Sequence, residues 1–176
     1  MSQDLASSLA CVQSCIAESL LVQEASGTYR PAEPDEVLRA GQRFLASQVR
    51  GTEVMSSPSV VKDFLRLRLA ALPHEVFAVV HLDAQNRVID YAEMFRGTVT
   101  QTSVYPREVV REAMLRNSAA VLLVHNHPSG TTQPSRADEA LTQTIRAALA
   151  LVDVRVLDHL IVGGADILSM AERGLL

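Results

Sequence analysis

The sequence contains no tryptophan, and aromatic residues make up only 4% of it. Two cysteines, Cys11 and Cys15, are too few to staple a small secreted fold, and Lys62 is the only lysine. A hydrophobic core is nevertheless within reach, because apolar residues account for 48% of the chain and charged residues for 20%. At 176 residues, this balance predicts one globular domain with a short appendage and excludes a largely disordered protein.

The net charge and the length of the apolar runs restrict the partners that the protein can bind and the cellular compartment in which we expect it. A net charge of −4 supplies no overall basic field, so we expect at most weak binding of nucleic acid. The N-terminus shows no charged leader with an apolar core, and the apolar run at residues 119–124 is too short to cross a bilayer. We therefore expect a cytoplasmic protein with no membrane partner, and the cysteine usage fits a reducing compartment.

Apolar periodicity predicts the order of helices and strands. At the front, residues 1–33 predict a helix around residues 9–22 followed by a linker. Beyond it the predicted helices are residues 35–49, a helix opened by Pro58, a helix from Pro106 to about Asn117, and residues 137–149. The predicted strands are residues 76–82, 88–95, a short strand after Gly97, 119–124, 154–162 and 167–170. This order is typical of a mixed α/β or α+β layer fold.

The segment from His125 to Gly130, directly after a predicted buried strand, carries the most unusual chemistry. His125 and His127 are separated by one residue, so both side chains project to the same side where the chain is extended. Asp138 lies in the first turn of the next predicted helix, and the intervening loop is long enough to bring its carboxylate to the histidines. Two imidazoles and one carboxylate would leave a fourth position of a zinc ion open. The spacing alone leaves a polar surface loop, with Ser135 and Asp138 as a helix cap, equally open.

The complete string, His125-x-His127-Pro128 followed by Ser135 and Asp138, resembles the JAMM motif of the JAB/MPN metallopeptidase family. The resemblance is closer to bacterial RadC-type proteins, through residues 104–108, 125–130 and 156–163. It covers roughly residues 50–176. It implies an α/β fold of the JAB/MPN type, which is cytidine-deaminase-like, with a curved mixed sheet flanked by helices. It also implies two regions: a helical N-terminal extension at residues 1–50 and a RadC-type JAB/MPN domain at residues 51–176.

The resemblance further implies a Zn²⁺ cofactor and assigns roles to five residues. His125, His127 and Asp138 would be the metal ligands. In this family's pattern an early glutamate acts as general base, and Glu75 is the residue that matches, with Glu93 as its rival. Ser135 would donate a hydrogen bond to the oxyanion.

Three functional hypotheses follow from these features. The first is a zinc-dependent hydrolase of amide or isopeptide bonds, with a peptide or protein substrate. The second is a nucleic-acid-associated module of the DNA-repair type with the same metal site; the negative charge counts against it, as does a front region too short for the helix-hairpin-helix module of full-length members. The third is a scaffold that has retained the fold.

The sequence contains three further histidines, His74, His81 and His159. His159 could pair with Asp158 near the metal ligands, but we favour a satisfied core or edge histidine. His74 and His81 are interpreted as structural.

Overall fold

The structure is a computed structural model that describes residues 20–54, 57–97 and 104–176. The chain divides into two compact units, Met1–Phe44 and Leu45–Leu176. In the described part, no helix is long and apolar enough to cross a membrane.

The first unit contains a small hairpin where the sequence predicted a helix and a linker. β1 (Leu21–Gln23) pairs antiparallel with β2 (Tyr29–Pro31), and Gly27, with a φ of 85°, lies in the turn between them. The predicted helix at residues 9–22 falls mainly outside the described residues, and at Leu21 and Val22 it is wrong. A short glycine turn allows these two apolar residues to pair with the following segment. Strand pairing then forms in place of the helix that the apolar spacing predicted. The helix α1 (Pro34–Val49) then begins, and the boundary between the units falls inside it.

The second unit is built on one mixed sheet. After α2 (Pro58–Leu69) come the strands β3 (Val76–Leu82) and β4 (Val88–Arg96), the helix α3 (Pro106–Leu115) and the strand β5 (Ala120–Asn126). The helix α4 (Arg136–Ala150) and the strands β6 (Arg155–Gly163) and β7 (Asp166–Ser169) complete it. The sheet order is β4-β3-β5-β6-β7, with β5 and β6 parallel and the other pairs antiparallel. These elements confirm the predicted mixed sheet flanked by helices. The short strand expected after Gly97 falls mainly on residues 98–103, outside the described residues.

Apolar residues cover both faces of the central strands, which explains why β3 and β5 are apolar runs without alternation. On one face, Ala78 and Val80 belong to the same core cluster as Phe64 of α2; we call this the α2 face. On the other, Phe77 and Val79 share a cluster with Ile145 of α4; we call this the α4 face. Because neighbours along a strand point to opposite faces, any residue on β3 or β5 can be assigned to one face or the other.

Candidate metal centre

The end of β5 delivers two histidines to the α4 face. His125 is the partner of Phe77 on β3 and of Ile161 on β6, so it lies between two strands. The backbone N–H of His127 donates to the carbonyl of Val162 at 2.8 Å, which extends the pairing with β6 beyond the strand end. Since Val124 packs on the α2 face, the side chains of His125 and His127 both project on the opposite side.

The first turn of α4 supplies the carboxylate. Ser135 is the N-cap of α4: its hydroxyl accepts the backbone N–H of Asp138 at 3.1 Å. Asp138 reciprocates, because its Oδ2 accepts the backbone N–H and the hydroxyl of Ser135, each at 2.7 Å. This capping box fixes the orientation of the Asp138 side chain at the start of the helix. Ser135 therefore caps the helix, as the capping interpretation predicted. It also lies close to the two histidines through its contact with Asp138.

The three predicted ligands converge on one point. The Nε2 atoms of His125 and His127 are 2.9 Å apart. Asp138 places Oδ1 3.4 Å from the Nε2 of His125 and Oδ2 3.7 Å from the Nε2 of His127. The structure therefore brings together three side chains of the kinds that bind zinc, and their ligand atoms all lie within 4.8 Å of one another.

Burial and charge give the three groups different protonation preferences. Burial lowers the pKa of His125 to about 4, so this ring is neutral at neutral pH. The contact with Asp138 raises the pKa of His127 against the opposing effect of burial. Burial acts to raise the pKa of Asp138, but the contact with His127, the charge that His125 acquires in acid and the hydrogen bonds from Ser135 outweigh it and hold that pKa well below its usual range. The cluster thus contains an ionised carboxylate beside a neutral buried imidazole.

The donor set fits a zinc ion. The Nδ1 of His127 is 2.9 Å from the carbonyl oxygen of Thr131, which can only accept, so Nδ1 carries the proton and the Nε2 of the neutral ring has a free lone pair. The Nε2 of His127 lies 2.9 Å from the Nε2 of His125, so both nitrogens border the same space. Zinc ligands at about 2.0–2.1 Å in tetrahedral geometry lie roughly 3.3 Å from one another. The two Nε2 atoms are 2.9 Å apart and each has one Asp138 oxygen at 3.4 or 3.7 Å, which is close to this value. With one ligand atom taken from each residue, all three separations stay within 4.8 Å.

Glycine at position 163 permits the loop that orients His127. A Cβ atom on Gly163 would lie 2.7 Å from the carbonyl oxygens of Gly130 and Thr131. Backbone atoms cannot yield as a flexible side chain does, so the close approach of this loop to β6 requires glycine. The approach places the Thr131 carbonyl where it accepts the Nδ1 proton of His127.

Glu75 lies at the site, just before β3. Glu75 precedes Phe77, the partner of His125, by two residues, so an extended backbone puts the side chains of Glu75, Phe77 and His125 on the same face. Its charge contributes to raising the pKa of His127. The side chain of Asn126 holds the backbone on both sides of Glu75: its Oδ1 accepts the Val76 N–H at 2.8 Å, and its Nδ2 donates to the His74 carbonyl at 3.1 Å.

Glu93, the rival base, lies on the other face of the sheet. It is the partner of Ala78, and directly paired residues share a face, so Glu93 lies on the α2 face. There its Oε1 is 3.3 Å from the Nε of Arg68 and 3.4 Å from the Tyr91 hydroxyl. The structure therefore brings Glu75, and not Glu93, to the side of the sheet that carries the histidines. The role of Glu75 as a base stays a prediction.

The remaining histidines are distributed differently. His81 is fully buried at the other end of β3, where its Nδ1 is 2.9 Å from the Ser118 hydroxyl, and His74 lies 3.2 Å from Arg96. His159 is also fully buried, but its ring contacts His125, with 2.8 Å between His159 Nε2 and His125 Nδ1. Asp158 does not take the ring as a partner; it accepts the backbone N–H of His159. No sequence pattern signals the contact with His125, because it depends on the register of β5 and β6.

These features define the class of the protein: a JAB-type α/β domain with a two-histidine, one-aspartate cluster at the end of its central strand. The family described as RadC-like JAB domain matches residues 55–175, and the chain belongs to that family. The resemblance recognised in the sequence is thereby confirmed.

Several curated proteins are similar to this chain. A UPF0758 protein of Methylibium petroleiphilum is 58% identical over 150 residues, which cover 85% of this chain and 68% of that protein. A UPF0758 protein of Albidiferax ferrireducens is 58% identical over 150 residues, covering 85% and 64%. One from an Acidovorax species is 61% identical over 149 residues, covering 85% and 63%. The chain thus spans about two thirds of the length of these relatives.

Proposed function

We propose that this protein is a zinc-dependent hydrolase of the JAMM type that cleaves an amide or isopeptide bond in a peptide or protein. The observation that carries the proposal is the convergence of His125, His127 and Asp138 on one point, with Glu75 on the same face of the sheet. A zinc ion held by these ligands would supply Lewis acidity and lower the pKa of water to roughly 7.

The residues around the ligands have complementary tasks. Glu75 carries a carboxylate that can take a proton from the attacking water and return it to the leaving amine. Its backbone is held by Asn126, which limits where the carboxylate can lie. The Ser135 hydroxyl can donate to the oxyanion of the tetrahedral intermediate, a contribution of about 3 kcal/mol when one such donor is removed elsewhere. To do so it must exchange its present bond to Asp138 for one to the substrate.

The test combines metal analysis with cleavage assays on the zinc-loaded protein. A peptide-bond library, isopeptide-linked peptides, and single-stranded and duplex DNA serve as substrates. We expect about one zinc per chain and cleavage of peptide or isopeptide bonds only. Cleavage of DNA alone, or binding of DNA below micromolar concentration at physiological salt, would instead favour a nucleic-acid function.

Glu75→Gln tests the assignment of the base. This variant removes the base but none of the three proposed ligands, so zinc content should persist while turnover falls by about 10² or more. Glu93→Gln is the matched control, because that carboxylate lies on the α2 face and should be dispensable for turnover. Loss of zinc from Glu75→Gln would make Glu75 a ligand. Loss of turnover in Glu93→Gln alone would reverse the assignment.

Ser135→Ala tests the oxyanion donor on the same substrate. A donor that acts only in the transition state predicts a kcat lower by roughly 10² with little change in KM. An unchanged kcat in the folded, zinc-loaded variant would leave helix capping as the whole role of Ser135.

A further inference from the structure

His159 links the candidate ligand His125 to α4 through a chain of buried side chains. The Nε2 of His159 is 2.8 Å from His125 Nδ1, and its Nδ1 is 2.6 Å from the hydroxyl oxygen of Thr142. Both His159 and Thr142 are fully buried, so water cannot substitute for either partner. The two contacts of His159 are therefore shielded from solvent.

The carbonyl oxygen of Asp138 fixes the direction of the protons in this chain. The Thr142 hydroxyl lies 2.6 Å from that carbonyl, which can only accept. If the single hydroxyl proton pointed elsewhere, two acceptor oxygens would face each other at this distance. Thr142 therefore donates to Asp138, and its oxygen is left to accept the proton on Nδ1 of His159.

The direction of the protons continues from His159 to the candidate metal ligand His125. A neutral histidine has one N–H, so His159 with its proton on Nδ1 has a free lone pair on Nε2. That lone pair accepts a proton from His125 Nδ1. The proton of His125 is then committed to Nδ1, and the free lone pair of His125 is on Nε2, the atom that faces His127 and Asp138.

We propose that Thr142 and His159 are positioning residues that hold His125 in the tautomer with its proton on Nδ1, so that its Nε2 is available to a metal ion. The inference rests on the proposed function only in requiring that zinc binds; it does not require hydrolysis. The chain begins at the backbone of Asp138 and ends at His125, so it also connects two of the three candidate ligands. Partners of this kind orient a metal-bound imidazole and raise its basicity.

The test uses the full chain with three threonine variants. Thr142→Val removes the hydroxyl at nearly constant volume, and Thr142→Ser retains it. Thr144→Val is the matched control, because the exposed Thr144 makes the same kind of bond to the backbone of α4, to Ala140 at 2.8 Å, without touching a histidine. Zinc affinity is measured by competition with a chelator. Nitrogen–proton correlation spectra of the imidazole rings give the tautomers, in the metal-free and the zinc-loaded protein.

We expect the unaltered protein to show the proton on Nδ1 of both His125 and His159. Thr142→Val should populate both tautomers of His125 in the metal-free protein and weaken zinc binding by roughly 10- to 100-fold. Thr142→Ser should restore both readouts, and Thr144→Val should leave both unchanged. A purely structural role for Thr142 predicts a lower melting temperature with no change in tautomer or zinc affinity.

Two results would overturn this inference alone. One is a proton on Nε2 of His125 in the unaltered metal-free protein, which is decided without any variant and so does not depend on whether Thr142→Val folds. The other is a folded Thr142→Val protein with unaltered tautomers and zinc affinity. Zinc binding without hydrolysis of any substrate would overturn the proposed function and leave this inference standing. Failure of the unaltered protein to bind zinc would overturn both.

Discussion

Two fully or largely buried histidines, His81 and His125, lie on the same face of the sheet at opposite ends of the paired strands β3 and β5. Burial lowers the pKa of each to about 4, so both rings are neutral. His125 faces His127 and Asp138, whereas among the described residues His81 has a single hydroxyl partner and its buried Nε2 has no hydrogen bond. Burial of a histidine is therefore not enough to make a site; the difference lies in what the neighbouring elements bring to it.

The neighbours of His81 include charges, but they neutralise one another. Arg116, at the end of α3, donates to Asp90 at 3.0 Å and also pairs with Glu112. Asp90 is the strand partner of His81, so a carboxylate lies near this histidine too, but Arg116 engages it. No second histidine of the described residues contacts His81. In the described part of the chain, the cluster at His125 is the one place where three candidate ligand atoms converge.

The largest expected difference between the two ends is the effect on zinc binding of replacing His127, a candidate ligand, compared with replacing His81. His127→Ala leaves two candidate ligands, and we expect zinc affinity to fall by about a thousand-fold or more, beyond the effect of losing an outer partner. His81→Gln should retain about one zinc per chain. The measurement is zinc content after gel filtration, with chelator competition. Stoichiometric zinc in His127→Ala would show that the convergence at His125 does not bind the metal.

Acid titration of stability sharpens the comparison at His81. Its folded-state pKa of about 4 lies below its ordinary value of 6.5, so between these values the unfolded chain binds the proton more readily. The contribution of the neutral His81 ring to the unfolding free energy is therefore fully present above about pH 6.5 and is lost as the pH falls towards 4. His81→Gln should therefore remove about 3 kcal/mol of the pH dependence of the unfolding free energy in this window. Identical pH profiles of the variant and the unaltered protein, from urea unfolding, would contradict this.

Gly163→Ala tests the loop that orients His127, a feature absent from the His81 end. The new Cβ would require the backbone at Gly130 and Thr131 to move, at a cost of about 1–3 kcal/mol, and would draw the Thr131 carbonyl away from His127. Gly164→Ala is the adjacent control. Its Cβ meets open space, but its φ of 57° makes alanine unfavourable by roughly 1–2 kcal/mol. We expect both variants to be destabilised and only Gly163→Ala to bind zinc more weakly. Equal zinc affinities of the two variants would show that the loop does not control the orientation of His127 for zinc binding.

The smallest expected effect concerns the cap that fixes Asp138. Ser135→Ala should lower the unfolding free energy by about 1 kcal/mol, whereas Ser135→Gly should cost only a few tenths, because glycine is tolerated at the N-cap. Both variants lack the hydroxyl that donates to Asp138, so both should loosen the carboxylate and weaken zinc binding by a similar factor. Thermal unfolding measures the stability of both variants, and chelator competition on the same samples measures their zinc affinity. A loss of affinity in the alanine variant alone would mean that helix stability, and not the hydroxyl, holds Asp138 in place.

The sequence by itself determined two things: most of the helices and strands of the second unit, and the three candidate metal ligands. The continuous apolar runs predict β3 and β5, and Pro58 and Pro106 mark helix starts, because these signals are local. His125 and His127 alternate with Asn126, so any extended backbone brings them to one side. Asp138 belongs to a helix cap that forms from neighbouring residues.

Only the tertiary structure decided which other residues join the ligands. Glu75 and Glu93 are both acidic residues near strand ends, and only the register of β3 with β4 and β5 places them on opposite faces of the sheet. The contact of His159 with His125, and that of Thr142 with His159, likewise depends on how β6 and α4 lie beside β5. The physical reason is that these contacts join residues distant in the chain, and strand pairing and helix packing, not local spacing, set their distances.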